Sequence, residues 1–410
     1  MIADNLVVDA RTGMRTTWGE LVRQAAPRPA PTAHVVAHSV DALPAVAALE
    51  DGGELLVVAA GRVDEALADE LRGAGFDLVA GDDVQVATSH RAAEDGRVWL
   101  LTSGSTGRPK RVGHTLASLS TVTGELAPRT WLCPYSPGTY AWWQVITLGL
   151  GVPAQDLVLV DPADPAALDD WVVPALEHGV TAVSGTPTFW RRTLMRHGAE
   201  LSRLPLEQVT LGGEPVDQAV LSQLAEVFPD ARVSWIYASS EVGASIVVHD
   251  GRAGFPEEWL DRDVPGRPRL SVVDGELVIT SPHHGVEASG TELAGAVRTG
   301  DAARIEDGRV LVTGRLDRDE LNVGGSKVSA GAVRDLLQSH PDVAWASVRG
   351  RKAPLVGTMV VADVVADQDS DVNADDLTRW AAERLPEYAV PRRIKMLAEI
   401  PAKETLKSDV

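Results

Sequence analysis

Val98-Trp99-Leu100-Leu101-Thr102-Ser103-Gly104-Ser105-Thr106-Gly107-Arg108-Pro109-Lys110 opens as an apolar, β-forming run and changes character at Thr102. From there it offers hydroxyls, two glycines and a lysine. Glycines let backbone N–H groups turn towards an anion, hydroxyls donate hydrogen bonds and the lysine adds charge, so the segment suits phosphate binding. The Gly-x4-Gly-Lys-[Ser/Thr] spacing of a Walker A loop is absent. The plainer alternative is a polar turn between a strand and a helix.

Outward from this segment, short β-rich runs alternate with helix-length stretches. The runs are Leu55–Val58, Val98–Leu101, Leu157–Val160, Thr181–Val183, Val209–Leu211 and Val233–Tyr237, and the helical stretches include Ala166–Glu177, Thr188–Arg196 and Val216–Phe228. That alternation predicts α/β layers around a largely parallel sheet. Past Glu241, strands at Ser271–Thr280, Gly295–Arg298 and Arg309–Thr313 are spaced by Asp274-Gly275 and Asp307-Gly308, which predicts a small antiparallel β subdomain. A third region carries a helix at Ala330–Ser339, strands at Ala344–Val348 and Gly357–Val365, and a helix opened by Asn373. A boundary is expected at 314–318, giving a large domain over 1–314 and a small α+β domain over 315–410. Residues 1–50 are rich in Ala, Val and Pro and give little pattern.

The chain has 410 residues and a net charge of −20, with 38 basic against 58 acidic side chains. A field of that sign repels nucleic acid and anionic lipid, and any nucleotide site has to build its positive potential locally. One cysteine, Cys133, excludes an intramolecular disulfide and fits a reducing compartment. Residues 1–20 hold Asp4, Asp9, Arg11, Arg15 and Glu20 instead of a secretory apolar block. Ala141–Val160 is broken by Gln144, Pro153, Gln155 and Asp156, short of the ~20 apolar residues of a membrane span, and reads as core. A cytoplasmic protein is expected.

Four more segments carry chemistry. Gly212-Gly213-Glu214-Pro215 follows a predicted strand, where two glycines permit close approach of a flat ligand; alone it reads better as a tight turn. In Tyr237-Ala238-Ser239-Ser240-Glu241 the aromatic suits stacking on a base, Ser240 a phosphate oxygen and Glu241 a magnesium ion. Arg298-Thr299-Gly300-Asp301 and Gly314-Arg315-Leu316-Asp317 each pair an arginine with a carboxylate able to take ribose hydroxyls, though each is also a plausible β-turn.

In order and spacing, these segments and a late lysine resemble one family, the adenylate-forming superfamily of acyl- and aryl-CoA ligases, nonribosomal adenylation domains and luciferases. The resemblance covers about residues 95–410. It implies that Thr102, Ser103, Gly104, Ser105, Thr106, Gly107 and Lys110 wrap the β- and γ-phosphates of ATP. Gly212, Gly213 and Glu214 would line the adenine and acyl pocket, with Tyr237 on the base. Ser240 and Glu241 would handle the α-phosphate and Mg2+, Asp301 and Arg315 the ribose, and Asp317 the hinge of the small domain. Lys407 matches the catalytic lysine, with Lys403 as the competing position; an ammonium between a carboxylate and an α-phosphate relieves their repulsion most in the transition state. Asn322–Lys327 resembles the segment lining a thiol tunnel, which brings in Lys327 and a coenzyme A or phosphopantetheine acceptor.

The chain departs from the family pattern at Leu406 and Ala238, where glycine is usual, in the absence of a histidine from Pro134–Gln144, at Ala332-Val333-Arg334, and in having only about 100 residues before the phosphate loop, which implies a shortened N-terminal region. Tyr135, Tyr140, Trp142, Trp143, Phe189 and Trp190 cluster where the acyl pocket is expected; if they line it, they favour an aromatic or short acid, although core is the commoner fate of aromatics. The expected activity is ATP-dependent acyl-adenylate formation with release of pyrophosphate, then transfer to coenzyme A. The alternatives are loading of a carrier protein or an amine, and, from another class, an inactive ATP-binding relative.

Overall fold

The computed structural model describes residues 2–25, 28–103, 109–122, 125–353, 357–368, 370–401 and 407. Two mixed sheets and helices build the large part of the molecule. In the eight-stranded sheet, six neighbours run parallel in the order Arg232–Ser239, Gln208–Gly212, Ala182–Gly185, Arg129–Cys133, Gln155–Leu159 and Leu6–Asp9. Antiparallel Gly243–Val248 and Arg15–Thr17 close its edges. The seven-stranded sheet has a parallel centre of Arg97–Ser103, Glu54–Ala59, Thr32–Val36 and Asp77–Ala80.

Glu54–Ala59 is buried at every position, as a strand covered on both faces requires. Helix Tyr140–Gly151 is apolar nearly all round and lies inside the main core, so Ala141–Val160 is interior as its composition implies. Gly149 permits its seat: a Cβ there would come within 2.6 Å of Leu157. The antiparallel subdomain is a five-stranded sheet including Arg269–Val273, Glu276–Thr280, Val297–Glu306 and Arg309–Arg315. Its Asp274-Gly275 and Asp307-Gly308 turns have positive φ at both residues, the geometry that an Asp-Gly pair adopts most readily between twisted strands.

One local expectation is corrected, and two stretches left open by the sequence are resolved. Ala166–Glu177 forms two short helices, Pro165–Asp169 and Val172–Glu177, because Trp171 turns inward between them and donates its indole N–H to Thr193 Oγ1 at 3.1 Å. The glycine-rich segment joins two antiparallel strands, Arg97–Ser103 and Pro109–His114, with no helix after it. The described residues among 1–50 carry regular structure: Leu6–Asp9 pairs with Gln155–Leu159, and helix Trp18–Gln24 is closed by a capping box between Thr17 and Glu20.

A second apolar cluster, including Leu321, Val333, Leu337, Val360 and Leu377, gathers residues of the last part of the chain. It joins hairpin Glu320–Val323/Ser326–Ser329, helix Ala330–Gln338, and a sheet of Val343–Ala353, Gly357–Ala366 and Arg393–Leu397. Helix Ala374–Ala382 is capped by Asn373, which accepts from Asp375 and Asp376 N–H. Between the clusters, buried Asp319 accepts hydrogen bonds from Thr313 Oγ1, Ser329 Oγ and Gly331 N–H at 3.0, 2.9 and 2.6 Å. No helix among the described residues is long and apolar enough to cross a membrane.

The loop that enters helix Tyr140–Gly151 crosses very close to the seven-stranded sheet. Gly138 sits at φ +77°, and a Cβ there would lie 1.8 Å from the Val57 carbonyl oxygen. Gly138→Ala is expected to destabilise the large domain by about 3 kcal/mol or more through backbone strain and the displaced strand, read as a lower midpoint in denaturant unfolding.

Candidate active site

Parallel strands deliver their carboxyl ends to one edge of a sheet, which is where open α/β sheets bind ligands. Here strand Gln208–Gly212 delivers Gly212, Gly213 and Glu214, and strand Arg232–Ser239 delivers Tyr237, Ser240 and Glu241. Glu214 accepts the N–H of Thr188 at 3.0 Å, fixing the first turn of helix Pro187–His197, which follows the neighbouring strand Ala182–Gly185. Gly213 has φ +84°, a conformation that costs little only without a Cβ.

Above Gly213 lies the side chain of Lys407, with Cε 3.2 Å and Nζ 3.7 Å from where a Cβ would stand. The late lysine and the Gly-Gly-Glu turn, separated by most of the small domain in sequence, are thus neighbours. Lys403 lies outside the described residues.

The next group is a hydrogen-bonded set. Tyr237 donates its hydroxyl to Asp301 Oδ2 at 2.5 Å. Arg315 reaches the Thr299 carbonyl at 2.8 Å and Asp301 Oδ1 at 3.3 Å. Gly300 makes room for it, because a Cβ there would come within 2.6 Å of Arg315 Nη2. Burial raises the Asp301 carboxyl above the usual aspartate value, while Tyr237, Arg315 and Lys407 pull the other way. Burial and the Asp301 carboxylate together hold the Tyr237 phenol well above its ordinary value, so it remains a donor. The Tyr237 ring, expected as a stacking surface, also has its hydroxyl committed to this aspartate.

Sequence reasoning missed two supports. Glu276 is buried and accepts from Gly300 N–H at 2.8 Å and Arg298 Nε at 2.6 Å, which shapes the turn that presents Asp301. His114 is also buried and sits at the end of strand Pro109–His114. Its Nε2 lies 2.7 Å from the Ser240 carbonyl oxygen and its Nδ1 3.0 Å from Ser118 Oγ. A carbonyl only accepts, so Nε2 carries the hydrogen. His114 therefore ties the strand leaving the glycine-rich segment to the Ser240-Glu241 turn. A lone histidine after a strand gave no such signal.

Of the phosphate-loop candidates, Thr102 and Ser103 end one strand, and exposed Lys110 faces Thr102 in the antiparallel register. Gly104, Ser105, Thr106 and Gly107 lie outside the described residues. Asp317 is exposed in the short helix Leu316–Asp319. Lys327 is exposed on its hairpin and pairs with Glu320 at 2.9 Å. Among the described residues no group of three or more His, Cys, Asp or Glu side chains is placed to hold a metal ion. Glu241 as a lone carboxylate fits a magnesium ion carried mainly by phosphates and water.

The aromatic cluster is mostly interior. Trp142, Trp143 and Trp190 are fully buried; Trp142 donates to Ser39 Oγ and Trp190 to the Thr210 carbonyl. Tyr135, whose hydroxyl is 3.0 Å from Ser184 Oγ, and Phe189, packed on Gly185, are buried in the same core. Cys133 closes strand Arg129–Cys133, and burial pushes its thiol up to about 12.

The pattern of the AMP-binding enzyme family matches residues 16–287, and that of its C-terminal domain matches residues 333–407. The chain belongs to the AMP-binding enzymes. The resemblance to adenylate-forming enzymes drawn from the motifs is thereby borne out, as is the mixed α/β fold class. An acetyl-coenzyme A synthetase of Novosphingobium aromaticivorans is 28% identical over 397 residues, covering 83% of this chain and 60% of the relative. A feruloyl-CoA synthase of an Amycolatopsis species is 28% identical over 401 residues, covering 90% and 76%. The chain therefore spans only about 60% of the length of that acetyl-coenzyme A synthetase. Among solved structures, an anthranilate CoA ligase in complex with anthranoyl-AMP superposes with TM-score 0.74 at 16% identity, covering 98% of this chain and 92% of the other. An amide bond synthetase from Marinactinospora thermotolerans gives 0.72 at 20%, covering 100% and 96%. These two likenesses concern the fold.

Burial lowers the His114 pKa from 6.5 to about 4. A histidine whose folded value is depressed contributes stability that is complete above its unfolded value and is lost as pH falls towards the folded one. His114→Gln, which keeps a donor for the Ser240 carbonyl, should flatten this dependence. Between pH 7 and 4.5 the wild type is expected to lose about 2–3 kcal/mol more than the variant in denaturant unfolding.

Proposed function

We propose that this chain activates a small carboxylic acid with ATP, forming an enzyme-bound acyl-adenylate and pyrophosphate, and then transfers the acyl group to the thiol of coenzyme A. In the first step a carboxylate oxygen bonds to the α-phosphorus as the bond to pyrophosphate breaks. In the second a thiolate attacks the acyl carbon and AMP leaves. The observation that supports this reading above the others is Lys407 lying over Gly213, close enough to Asp301 to favour that residue's carboxylate form.

In this reading Asp301, backed by Tyr237 and Arg315, receives the ribose hydroxyls. Ser240 binds the α-phosphate, and Thr102, Ser103 and Lys110, with the glycine-rich segment between them, take the terminal phosphates. Glu241 holds magnesium, which when bound offsets phosphate charge. Lys407 places an ammonium where carboxylate and α-phosphate approach each other. Such a charge is worth more in a water-poor site than in solvent. For the second step, residues from 315 onward turn about Asp317, bringing the hairpin with Lys327 to the acyl group. The reaction is assigned to the cytoplasm, where ATP and coenzyme A are supplied and a lone thiol stays reduced.

A carrier-protein acceptor has its own support. A fatty acid–[acyl-carrier-protein] ligase of Streptomyces coeruleorubidus is 26% identical over 340 residues, covering 74% of this chain and 64% of the relative. Thioester formation with coenzyme A against a phosphopantetheinylated carrier protein decides between the acceptors. Exchange of labelled pyrophosphate into ATP over a panel of aromatic and short aliphatic acids tests the activation step itself. No exchange with any acid would leave an ATP-binding relative without this activity. Lys407→Ala is expected to lower adenylate formation by ~10²–10³ while sparing thioester formation from supplied acyl-adenylate; equal loss in both steps would remove the role given to this lysine.

A further inference from the structure

Where the two apolar clusters meet, a buried polar group uses charge in a way the reaction scheme does not call for. Arg191, on helix Pro187–His197, is 3% exposed and donates Nη2 to Asp217 Oδ2 at 2.5 Å. Asp217 is 7% exposed; its other oxygen caps helix Gln218–Val227 by accepting from Ala219 and Val220 N–H. Both residues belong to the large domain. Two contacts leave it. Arg191 Nη1 donates to the Ala344 carbonyl at 2.8 Å, and Gln338 Nε2 donates to Asp217 Oδ2 at 2.9 Å. Gln338 is itself buried and accepts the N–H of Ala346 at 3.1 Å, so it is held at both ends. Beside this group Met195, one turn beyond Arg191, packs against Trp345, Val365 and Ile400 of the small domain.

The distribution of charge is the informative feature. Separating a buried ion pair strands an uncompensated charge and is strongly unfavourable. Here the two opposite charges stay together on one side of the joint. The hydrogen bonds that cross it go to a carbonyl and a carboxamide, neutral groups that water can replace. The small domain's Arg334 also attracts Asp217 through its charge, but its ion pair is with Asp335 on its own side. Each neutral group is held by a charged partner, so the bonds are stronger than neutral ones while they last. The joint is therefore firm when closed and can open without parting an ion pair.

Its location connects it to the site. Helix Pro187–His197 is fixed at its start by Glu214, next to Gly213, and carries Arg191 and Met195 one and two turns later. The same helix thus references both the turn under Lys407 and the small-domain strand Val343–Ala353. Ile400, buried against Trp345, sets where the last segment leaves the small domain.

We infer that Arg191, Asp217 and Gln338 are positioning residues that bolt the small domain in the arrangement placing Lys407 over Gly213, and so serve the adenylate-forming step and not the transfer step. The inference rests on the two-step reading proposed above.

The test uses Gln338→Glu in the full chain. It sets a second carboxylate against Asp217 yet keeps an oxygen for Ala346 N–H. Pyrophosphate exchange is expected to fall at least ~10-fold, with thioester formation from supplied acyl-adenylate unchanged or faster, since an interaction made in only one step changes only that step. Arg191→Lys keeps the charge beside Asp217 but loses the fork that reaches Ala344, and should give the same split in milder form. Spin labels on cysteines introduced at exposed Glu226 and Asp371, with native Cys133 buried, report the interdomain distance independently of activity. A broader or longer distance distribution in both variants is expected. Wild-type distances in both variants, or equal loss of both steps, would overturn the bolt. A wild-type chain with no exchange for any acid, but with variants that shift the distance, would overturn the two-step reading and leave the bolt standing.

Discussion

Lys407 lies directly over Gly213, a residue with no side chain. A Cβ on Gly213 would meet the Lys407 Cε at 3.2 Å, and the φ of +84° disfavours any other residue there. This single close approach joins the end of the chain to the carboxyl edge of the eight-stranded sheet, and most of the surrounding construction keeps it available. Glu214 spends its carboxylate on Thr188 N–H, which orients helix Pro187–His197. That helix meets the small domain through Arg191 and Met195. Asp319 ties Thr313, Ser329 and Gly331 together where the chain passes from one apolar cluster to the other.

The site also shows how an acidic protein prepares for anions. With a net charge of −20, the general field opposes the ATP, coenzyme A and carboxylate of the proposed reaction alike. The opposing contribution is local: Arg315 and Lys407 both act on Asp301, and Lys110 stands at the mouth of the glycine-rich segment. Asp301 is buried enough for its charge to be expensive alone, and Tyr237 and Arg315 satisfy it through hydrogen bonds. A neutral His114 holds the Ser240 carbonyl without adding a cation beside Glu241.

Much of this architecture was legible in the residues, and the parts that were not share a cause. Parallel strands such as Glu54–Ala59 announce themselves because burial on both faces demands an apolar run, here Leu55–Val58. The Asp274-Gly275 and Asp307-Gly308 turns do so because positive φ at two successive residues restricts the choice of side chain. Leu6–Asp9 was missed because its partner, Gln155–Leu159, is remote in sequence, although the Thr17/Glu20 capping box was there to be found. The break at Trp171 follows from a tertiary bond to Thr193, and no local propensity signals it. Glu276, His114 and Asp319 act through contacts that motif spacing does not encode. The aromatic cluster left two readings open, pocket wall or core, and Trp142, Trp143 and Trp190 take the second by filling the interior.

The protonation of Cys133 has a bearing on chemical housekeeping. An enzyme that generates a mixed anhydride holds an electrophile able to acylate any thiolate nearby. Here the sole sulfhydryl closes a buried strand, with its ionisation displaced to about 12, so almost none is nucleophilic at neutral pH. In the reaction proposed for this chain, the activated acyl group would meet no reactive thiolate at Cys133 and would be left for the acceptor thiol.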